Sequence, residues 1–568
     1  MSQEERKVKI YRFFGWSILA ATLLVLAGFC LYGAAGRDDA HITYWPAYTL
    51  AHMGDILNYN GEMVEQSSSL LQVVLLAVSH MVSGVNIVTL GHLMSIFFGA
   101  ASLPLTYLFA RRLHPEAGPL AALVTAVYGS FVYWSFGGLE STLAAFCVLW
   151  VLLVFDNILT TSKSSVWEWG YTLLATLALL AVRPEMPVVL ACILLGTASA
   201  MIWRGVRSGT WTRLGYLALL STLVAIALFT WRYFTFGYLF PLSVSAKSGV
   251  SMDRAYHGFQ YLYSLARYPS SLRFGLTPMG LFGGISVAAS VSYLYRRFSA
   301  SNTEFRTYLE FLGGSFALAY ISFIVLTGGD WMEAGRFTVP LVPVASAFIS
   351  AEIYTYFQSR QTQWALSGGI VAIALASAVN VSLSMSTGIP ITSRASFEDQ
   401  HVEFVDNRNY FSFFELYNRV HFRDVLLLEK VHDALEKIEG SKSSKVYILS
   451  AFAGFTPFHL SKLEFGKFEY IDQFSLTTTQ LTECDSIVSK NIRQIEGKYF
   501  SFEDIMDNEN IDRCGYDVDI IFTSPNAELE NLGFREVHVN HSKKTDYGIG
   551  RMSVYVRNEY YNLFEQTN

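Results

Sequence analysis

Two adjacent carboxylates, Asp38 and Asp39, follow directly on the first hydrophobic stretch of the chain, roughly residues 11–35, which is preceded by Arg6, Lys7, Lys9 and Arg12. A carboxylate beside an acceptor hydroxyl can serve as general base in a displacement reaction. Its neighbour can orient it, bind sugar hydroxyls or hold a cation. The competing interpretation is an acidic pair solvated in a loop. The same stretch continues through His41, Thr43, Tyr44 and Trp45 to Asn58-Tyr59-Asn60-Gly61-Glu62 and Val64-Glu65, then Ser67-Ser68-Ser69-Leu70. Aromatic side chains next to acids suit sugar recognition, although they also gather at membrane interfaces.

Other charged residues recur at the ends of apolar segments. Glu140, in Gly137-Gly138-Leu139-Glu140, opens one such segment; it is a ligand candidate or simply an acid placed against a helix dipole. Arg183-Pro184-Glu185 lies between two short segments. Charge close to the hydrocarbon is costly and marks a functional candidate, with a local ion pair as the alternative. Lys247 follows an aromatic run from Arg232 to Pro241; it could bind a phosphate at the bilayer surface or only snorkel. Asp330 and Arg336 sit in Gly328-Gly329-Asp330-Trp331-Met332-Glu333-Ala334-Gly335-Arg336-Phe337, whose paired glycines permit a tight turn.

These residues must be positioned by a membrane-embedded scaffold. Of 568 residues, 52% are hydrophobic and only 15% charged, against roughly 25% charged in soluble proteins. Mean hydropathy is +0.32. The expected fold is an α-helical polytopic membrane protein of about eleven spans, at residues 11–35, 87–110, 118–136, 142–158, 168–182, 186–203, 212–232, 276–294, 307–327, 336–357 and 364–384. The first resembles a signal sequence in charge order but lacks a cleavage site, so it reads as a retained anchor. Residues 70–84 are short and read as a juxtamembrane or re-entrant helix. The positive-inside rule then makes the loops with Arg111–Arg112, Lys163, Arg204, Arg296 and Arg360 cytoplasmic. Every segment named above as a chemical candidate faces out, as does the polar region 385–568. That region reads as a soluble α/β domain, with an amphipathic helix over 424–439 and strands over 445–450, 517–523 and 552–557. The domains are therefore 1–384 and 385–568. A net charge of −6 without a basic cluster offers nothing to nucleic acid. No Cys/His cluster suggests a metal. Cys484 and Cys514, the cysteines of the exported region, are expected to form a disulfide. No nucleotide-binding loop or nucleophile elbow appears, so a reaction would draw its energy from an activated substrate.

The ordered set Asp38-Asp39-Ala-His-Ile, Val64-Glu65…Ser69-Leu70, Gly138-Leu139-Glu140, Arg183-Pro184-Glu185 and Gly328-Gly329-Asp330…Arg336-Phe337 resembles the GT-C glycosyltransferases. The resemblance is greatest to the branch of actinobacterial cell-wall arabinofuranosyltransferases, which add terminal arabinofuranose. Tyr470-Ile471-Asp472 through Thr477 is similar to a C-terminal Ile-Asp-x-x-Gly-Leu-Thr segment of that branch. Gln66, Ser69 and Ser475 depart from the pattern, standing where Gly, Pro and Gly are usual. The resemblance implies inverting transfer of a sugar from a polyprenyl-phosphate donor to an extracytoplasmic glycan, lipid or protein acceptor. Asp38 or Asp39 would be the catalytic base. Glu140, Glu185 and Asp330 would line the sugar site, and Arg183, Lys247 and Arg336 would hold the lipid phosphate. No cofactor is implied, with a divalent cation left open. The bilayer is the remaining partner. The location implied is a bacterial inner membrane, with the N-terminus cytoplasmic and the C-terminal domain periplasmic. Two readings compete with it. A flippase or transporter of a lipid-linked sugar predicts charges in mid-span and broken helices, and the apolar segments carry few such charges. A non-catalytic scaffold would leave Asp38 and Asp39 without a role.

Overall fold

The computed structural model describes residues 3–31, 38–161, 164–206, 208–247, 252–267, 277–299, 307–330, 332, 334–386, 431–433, 435–438, 445–450, 454–463, 465–472, 477, 518–523, 528–531, 533–537 and 553–562. Two compact units emerge. One comprises residues 1–34, 92–231 and 250–402, and the other 35–91, 232–249 and 403–568. The division is not one cut along the chain. The first loop region and the stretch after residue 231 group with the C-terminal sheet, not with the other helices.

The first unit is a helical bundle. Its elements include α1 (Gln3–Leu31), α4 (Ile87–Leu113), α5 (Ala117–Val127), α6 (Gly129–Trp134), α7 (Ser141–Thr160), α8 (Val166–Val182), α9 (Met186–Arg204), α10 (Ser208–Phe236), α12 (Met252–Arg267), α13 (Pro278–Ser299), α14 (Leu309–Leu326), α15 (Leu341–Tyr356) and α16 (Arg360–Ser386). Each of the eleven apolar segments is helical over most of its described residues. Among the described residues seven helices are long and apolar enough to cross a membrane: α1, α4, α7, α9, α10, α14 and α16. Segments α5, α8 and α15 are shorter, and α13, although 22 residues long, is not among the seven. At 1.5 Å per residue, 11 to 17 residues fall below or at the lower limit for a hydrocarbon core of about 30 Å.

The segment expected over 118–136 is two helices, not one. Tyr128 takes an extended conformation (φ −75°, ψ 129°) between α5 and α6. The break is held from outside: the Gly129 N–H donates to Ser377 Oγ at 2.9 Å, and Ser130 Oγ donates to the Ala334 carbonyl at 2.6 Å. An interrupted helix is tolerated in this setting because its freed backbone groups find such partners. Small residues bring helices close, as expected where lipid removes the hydrophobic drive between them. A Cβ on Gly196 of α9 would lie 2.2 Å from Ser315 Oγ of α14. At one end of the bundle the Asp156 carboxylate, 2% exposed, accepts from Arg112, from the Thr307 hydroxyl and from the Tyr308 N–H at 2.6–2.8 Å. It ties α4 and α7 to the start of α14.

The second unit contains α2 (Asp38–Met53), α3 (Leu70–Ser83), α11 (Leu242–Lys247) and a five-stranded sheet. The strands are β1 (Val446–Ser450), β2 (Phe468–Asp472), β3 (Ile520–Thr523), β4 (Phe534–Glu536) and β5 (Ser553–Arg557), with α17 (Phe455–Leu463) joining β1 to β2. Their order is β2-β1-β3-β5-β4. β1 is parallel to β2 and β3, whereas β5 is antiparallel to β3 and β4. Leu449, Ile471, Val518, Ile521, Phe534 and Tyr555 form its core. The three strands expected from sequence are β1, β3 and β5, each trimmed; β2 and β4 add to them. The described residues of the expected 424–439 helix, within 431–438, are helical. Cys484 and Cys514 lie outside the described residues.

The motif Asn58-Tyr59-Asn60-Gly61-Glu62 docks onto this sheet. Asn60 donates to the Tyr470 carbonyl at 2.9 Å and accepts the Tyr470 N–H at 2.8 Å, so one amide side chain pairs with edge strand β2 as a neighbouring strand would. Tyr59 OH donates to the carbonyls of His41 and Gly454. Asn58 Oδ1 accepts the N–H groups of Asn60 and Glu62. Asp472 accepts both the N–H and the hydroxyl of Thr477 at 2.9 Å. The Ile471-Asp472…Thr477 pattern thus ties Thr477 to the end of β2.

Candidate functional site

In the helical unit, five of the residues singled out by sequence come together. Arg183 is extended (φ −154°, ψ 145°) at the end of α8, as a residue before proline tends to be. Pro184 turns the chain, and Glu185 begins α9. Arg183 Nε then lies 2.7 Å from Glu185 Oε1, and its Nη1 lies 3.9 Å from Glu140 Oε1. Glu140 is the N-cap residue of α7 but its side chain makes no capping hydrogen bond; it is aimed instead toward Arg183. The local-pair interpretation of Arg183 and Glu185 is therefore correct but incomplete, because Glu140 joins them.

The glycine turn supplies the rest. Gly328, Gly329 and Gly335 adopt φ of 84°, 71° and 64°, and Ala334 adopts 54°. The left-handed backbone folds Arg336 over Asp330, giving a bidentate pair with Nε to Oδ2 at 2.6 Å and Nη2 to Oδ1 at 3.2 Å. Phe337 lies against both cations, its ring centroid 4.7 Å from Arg183 Cζ and 5.3 Å from Arg336 Cζ. Tyr320 of α14 donates to Glu185 Oε1 at 3.4 Å. Tyr261 of α12 is buried beside the turn. Sequence reasoning passed over both tyrosines. Tyr320 had one faint signal, a hydroxyl in the apolar series Phe316, Tyr320, Phe323.

Charge balance decides what this cluster can bind. Glu140, Glu185 and Asp330 face Arg183 and Arg336, and all five are buried. Three carboxylates against two guanidinium groups leave one excess negative charge. Burial alone would lower the Arg183 pKa, but Glu185, Tyr320, Glu140 and Asp330 raise it, so the guanidinium stays protonated. Arg336 gives its Nε–H and one Nη2–H to Asp330. In Arg183, by contrast, neither Nε nor Nη1 has a well-directed acceptor, despite the short Nε–Glu185 distance. Buried donors without aligned acceptors cost about 1–3 kcal/mol. Arg183 therefore has N–H groups to offer a ligand oxygen, while the carboxylates can accept from hydroxyls.

The other candidates belong to the second unit. Asp38 and Asp39 lie in the first turn of α2, not in a loop, where the helix dipole favours negative charge. Asp39 is half-buried. Lys247 is the last residue of α11. A pair the sequence analysis did not single out is buried here. Arg232, 1% exposed, meets Glu65, 5% exposed, with Nε to Oε2 and Nη2 to Oε1 both at 2.9 Å. Burial raises the Glu65 pKa and Arg232 counters it. The Glu65 carbonyl also accepts the Leu242 N–H at 3.0 Å, and Gln66 Nε2 donates to the Ile42 carbonyl at 2.8 Å. The signal was Glu65 itself, a lone acid between Val64 and Gln66. Among the described residues no group of three or more His, Cys, Asp or Glu side chains could hold a metal ion.

No protein-family model matches the chain, and no curated protein matches it. Solved structures do match. The oligosaccharyltransferase AglB of Archaeoglobus fulgidus, in complex with an inhibitory peptide and a dolichol-phosphate, is similar over 91% of this chain and 70% of its own, with 11% identity and a TM-score of 0.50. ArnT of Cupriavidus metallidurans in the apo state is similar over 97% of this chain and 99% of its own, with 14% identity and a TM-score of 0.50. The chain shares the GT-C fold with these proteins and carries a small C-terminal sheet.

Proposed function

We propose that the protein is an integral-membrane inverting glycosyltransferase that takes a sugar from a polyprenyl-phosphate donor. The GT-C fold supports this, since AglB shares it and its structure is in complex with a dolichol-phosphate. The observation that carries the proposal is the buried cluster Glu140–Arg183–Glu185–Asp330–Arg336. Its carboxylate excess suits a hydroxylated, uncharged sugar better than a free anion. Arg183 retains N–H groups for the donor's phosphate oxygen, whereas Arg336 is committed to Asp330.

In the proposed reaction, Asp38 or Asp39 takes the proton of an acceptor hydroxyl. The acceptor oxygen attacks the anomeric carbon, and the bond from that carbon to the phosphate oxygen breaks. Polyprenyl phosphate leaves with the electron pair and the stereochemistry inverts. Glu140, Glu185 and Asp330 hold sugar hydroxyls, Arg183 and Lys247 stabilise the leaving phosphate, and Arg336, expected from sequence to share that role, holds Asp330 in place. The motif resemblance favours arabinofuranose as the sugar. The acceptor is a cell-surface glycan, lipopolysaccharide or secreted protein, reached from the periplasmic side of a bacterial inner membrane.

The test is sugar transfer in membranes containing Asp38→Asn or Asp39→Asn at matched protein level. Asparagine keeps the shape but takes no proton at neutral pH. Loss of a general base lowers the rate by about 10²–10⁴. Near wild-type turnover in both variants would reduce the pair to a helix start. Mass spectrometry of surface glycans from a deletion strain identifies the sugar.

A further inference from the structure

We propose that His52 and His80 form a binding site for a divalent transition metal ion, Zn²⁺ in the first instance, that clips the C-terminal end of α2 to that of α3. The hydrogen bonds around the two rings point to this site, which is independent of the transfer reaction.

His52 Nδ1 lies 2.9 Å from the Tyr48 carbonyl oxygen, and His80 Nδ1 lies 2.7 Å from the Val85 carbonyl oxygen. A carbonyl oxygen only accepts, so each Nδ1 must carry the hydrogen. In the neutral imidazole that leaves Nε2 as a bare lone pair on both rings. The two Nε2 atoms face each other at 3.4 Å. Two lone pairs at that separation repel unless a proton or a cation lies between them.

The geometry fits a metal ion. With a Zn–N bond of roughly 2.0–2.1 Å and tetrahedral angles, two ligating nitrogens stand about 3.3–3.4 Å apart. The same arrangement places the ring centroids about 5.2 Å apart, and they are 5.0 Å apart with the ring planes tilted by 39°. A collinear N–H···N bridge would spread the centroids to about 5.7 Å for the same nitrogen separation. The Nδ1–H to carbonyl contacts are also the outer contacts that fix the tautomer of a metal-bound histidine.

Placement adds to this. His52 is in the last turn of α2 and His80 in the last turn of α3. Both helix ends therefore direct their negative dipole poles at the site, which favours a cation. His80 is held further by the α3 C-cap, where the Gly84 N–H donates to the His80 carbonyl at 2.8 Å. Tyr48 stacks on His52 with centroids 4.0 Å apart and fixes that ring. The His52 side is exposed and His80 half-buried, so water completes the coordination. Because α2 begins with Asp38 and Asp39, the ion would pin the opposite end of the helix that carries them.

The experiment uses the full-length protein in detergent, stripped with a chelator and dialysed. ZnCl₂ is titrated by calorimetry, and Co²⁺ by visible absorption as a reporter of tetrahedral geometry. One ion per chain is expected. Affinity should fall by about 10–100-fold or more in His52→Gln and in His80→Gln. Zn²⁺ should raise the unfolding temperature of the wild type and leave that of the variants unchanged. Should His80→Gln fail to fold, the exposed His52→Gln carries the comparison. Absence of saturable binding by the wild type would overturn the proposal and leave the pair a proton-bridged contact. Equal affinity in wild type and His52→Gln would overturn it by placing the ion elsewhere.

Discussion

The Glu65–Arg232 pair makes the sharpest energetic prediction. Its two contacts of 2.9 Å put the charge centres about 4 Å apart, worth about 4 kcal/mol at an effective dielectric of about 20. Removing one partner of such a buried pair costs about 3–5 kcal/mol, whereas replacing both with apolar residues of similar volume is nearly neutral. The two single variants should differ with pH. Glu65→Gln leaves a buried guanidinium that cannot deprotonate, so its cost persists at every pH. Arg232→Met leaves a buried carboxyl that can protonate. Burial already raises the Glu65 pKa, and losing the cation that counters it raises it further. A raised carboxyl pKa means the folded state holds the proton more tightly than the unfolded one. Its stability contribution is full below the unfolded value of about 4.3 and is lost as pH rises through the folded value. Arg232→Met should therefore approach wild-type stability at acid pH and fall away toward neutrality. Thermal unfolding of wild type, Glu65→Gln, Arg232→Met and Glu65→Leu/Arg232→Met in one detergent gives the coupling. Single variants within about 0.5 kcal/mol of wild type, or losses that simply add in the double variant, would refute the reasoning.

Three further outcomes are expected. Gly329→Ala should destabilise the protein by about 2–4 kcal/mol, from left-handed strain and overpacking together, because φ is +71° and the new Cβ would stand 2.5 Å from Tyr261 Cβ; unchanged thermal stability would reject the turn geometry. Arg183→Lys keeps the charge but loses the planar fork, and transfer should fall by about 10²–10³ with the loss mainly in kcat; a change confined to KM would assign Arg183 to ground-state binding. Alkaline phosphatase fused after Asn568 should be active, and an inactive fusion paired with a bright cytoplasmic reporter would reverse the proposed orientation.

Much was legible in the chain itself. Charge scarcity and long apolar runs identify a multi-helix membrane protein, because the bilayer excludes both charge and unpaired backbone over many consecutive residues. The turn at Gly328–Gly329 was equally readable, since only glycine takes left-handed backbone at no cost. So were β1, β3 and β5, whose β-branched and aromatic runs are local signals. Tertiary contact decided the remainder. Asp38 and Asp39 start a helix because α2 packs on α3 and the buried Tyr44 and Trp45 lie on it, which no loop-like composition discloses. Asn58–Glu62 looked like chemistry and proved to be a clasp on β2, because its partner Tyr470 lies 410 positions away. Glu140 was a helix start by sequence; only Arg183, brought in from another helix end, turned it into part of a charged cluster. The Glu65–Arg232 and His52–His80 pairs are separated by 167 and 28 positions. Neither spacing has a period to read, so only folding could bring those groups within bonding distance.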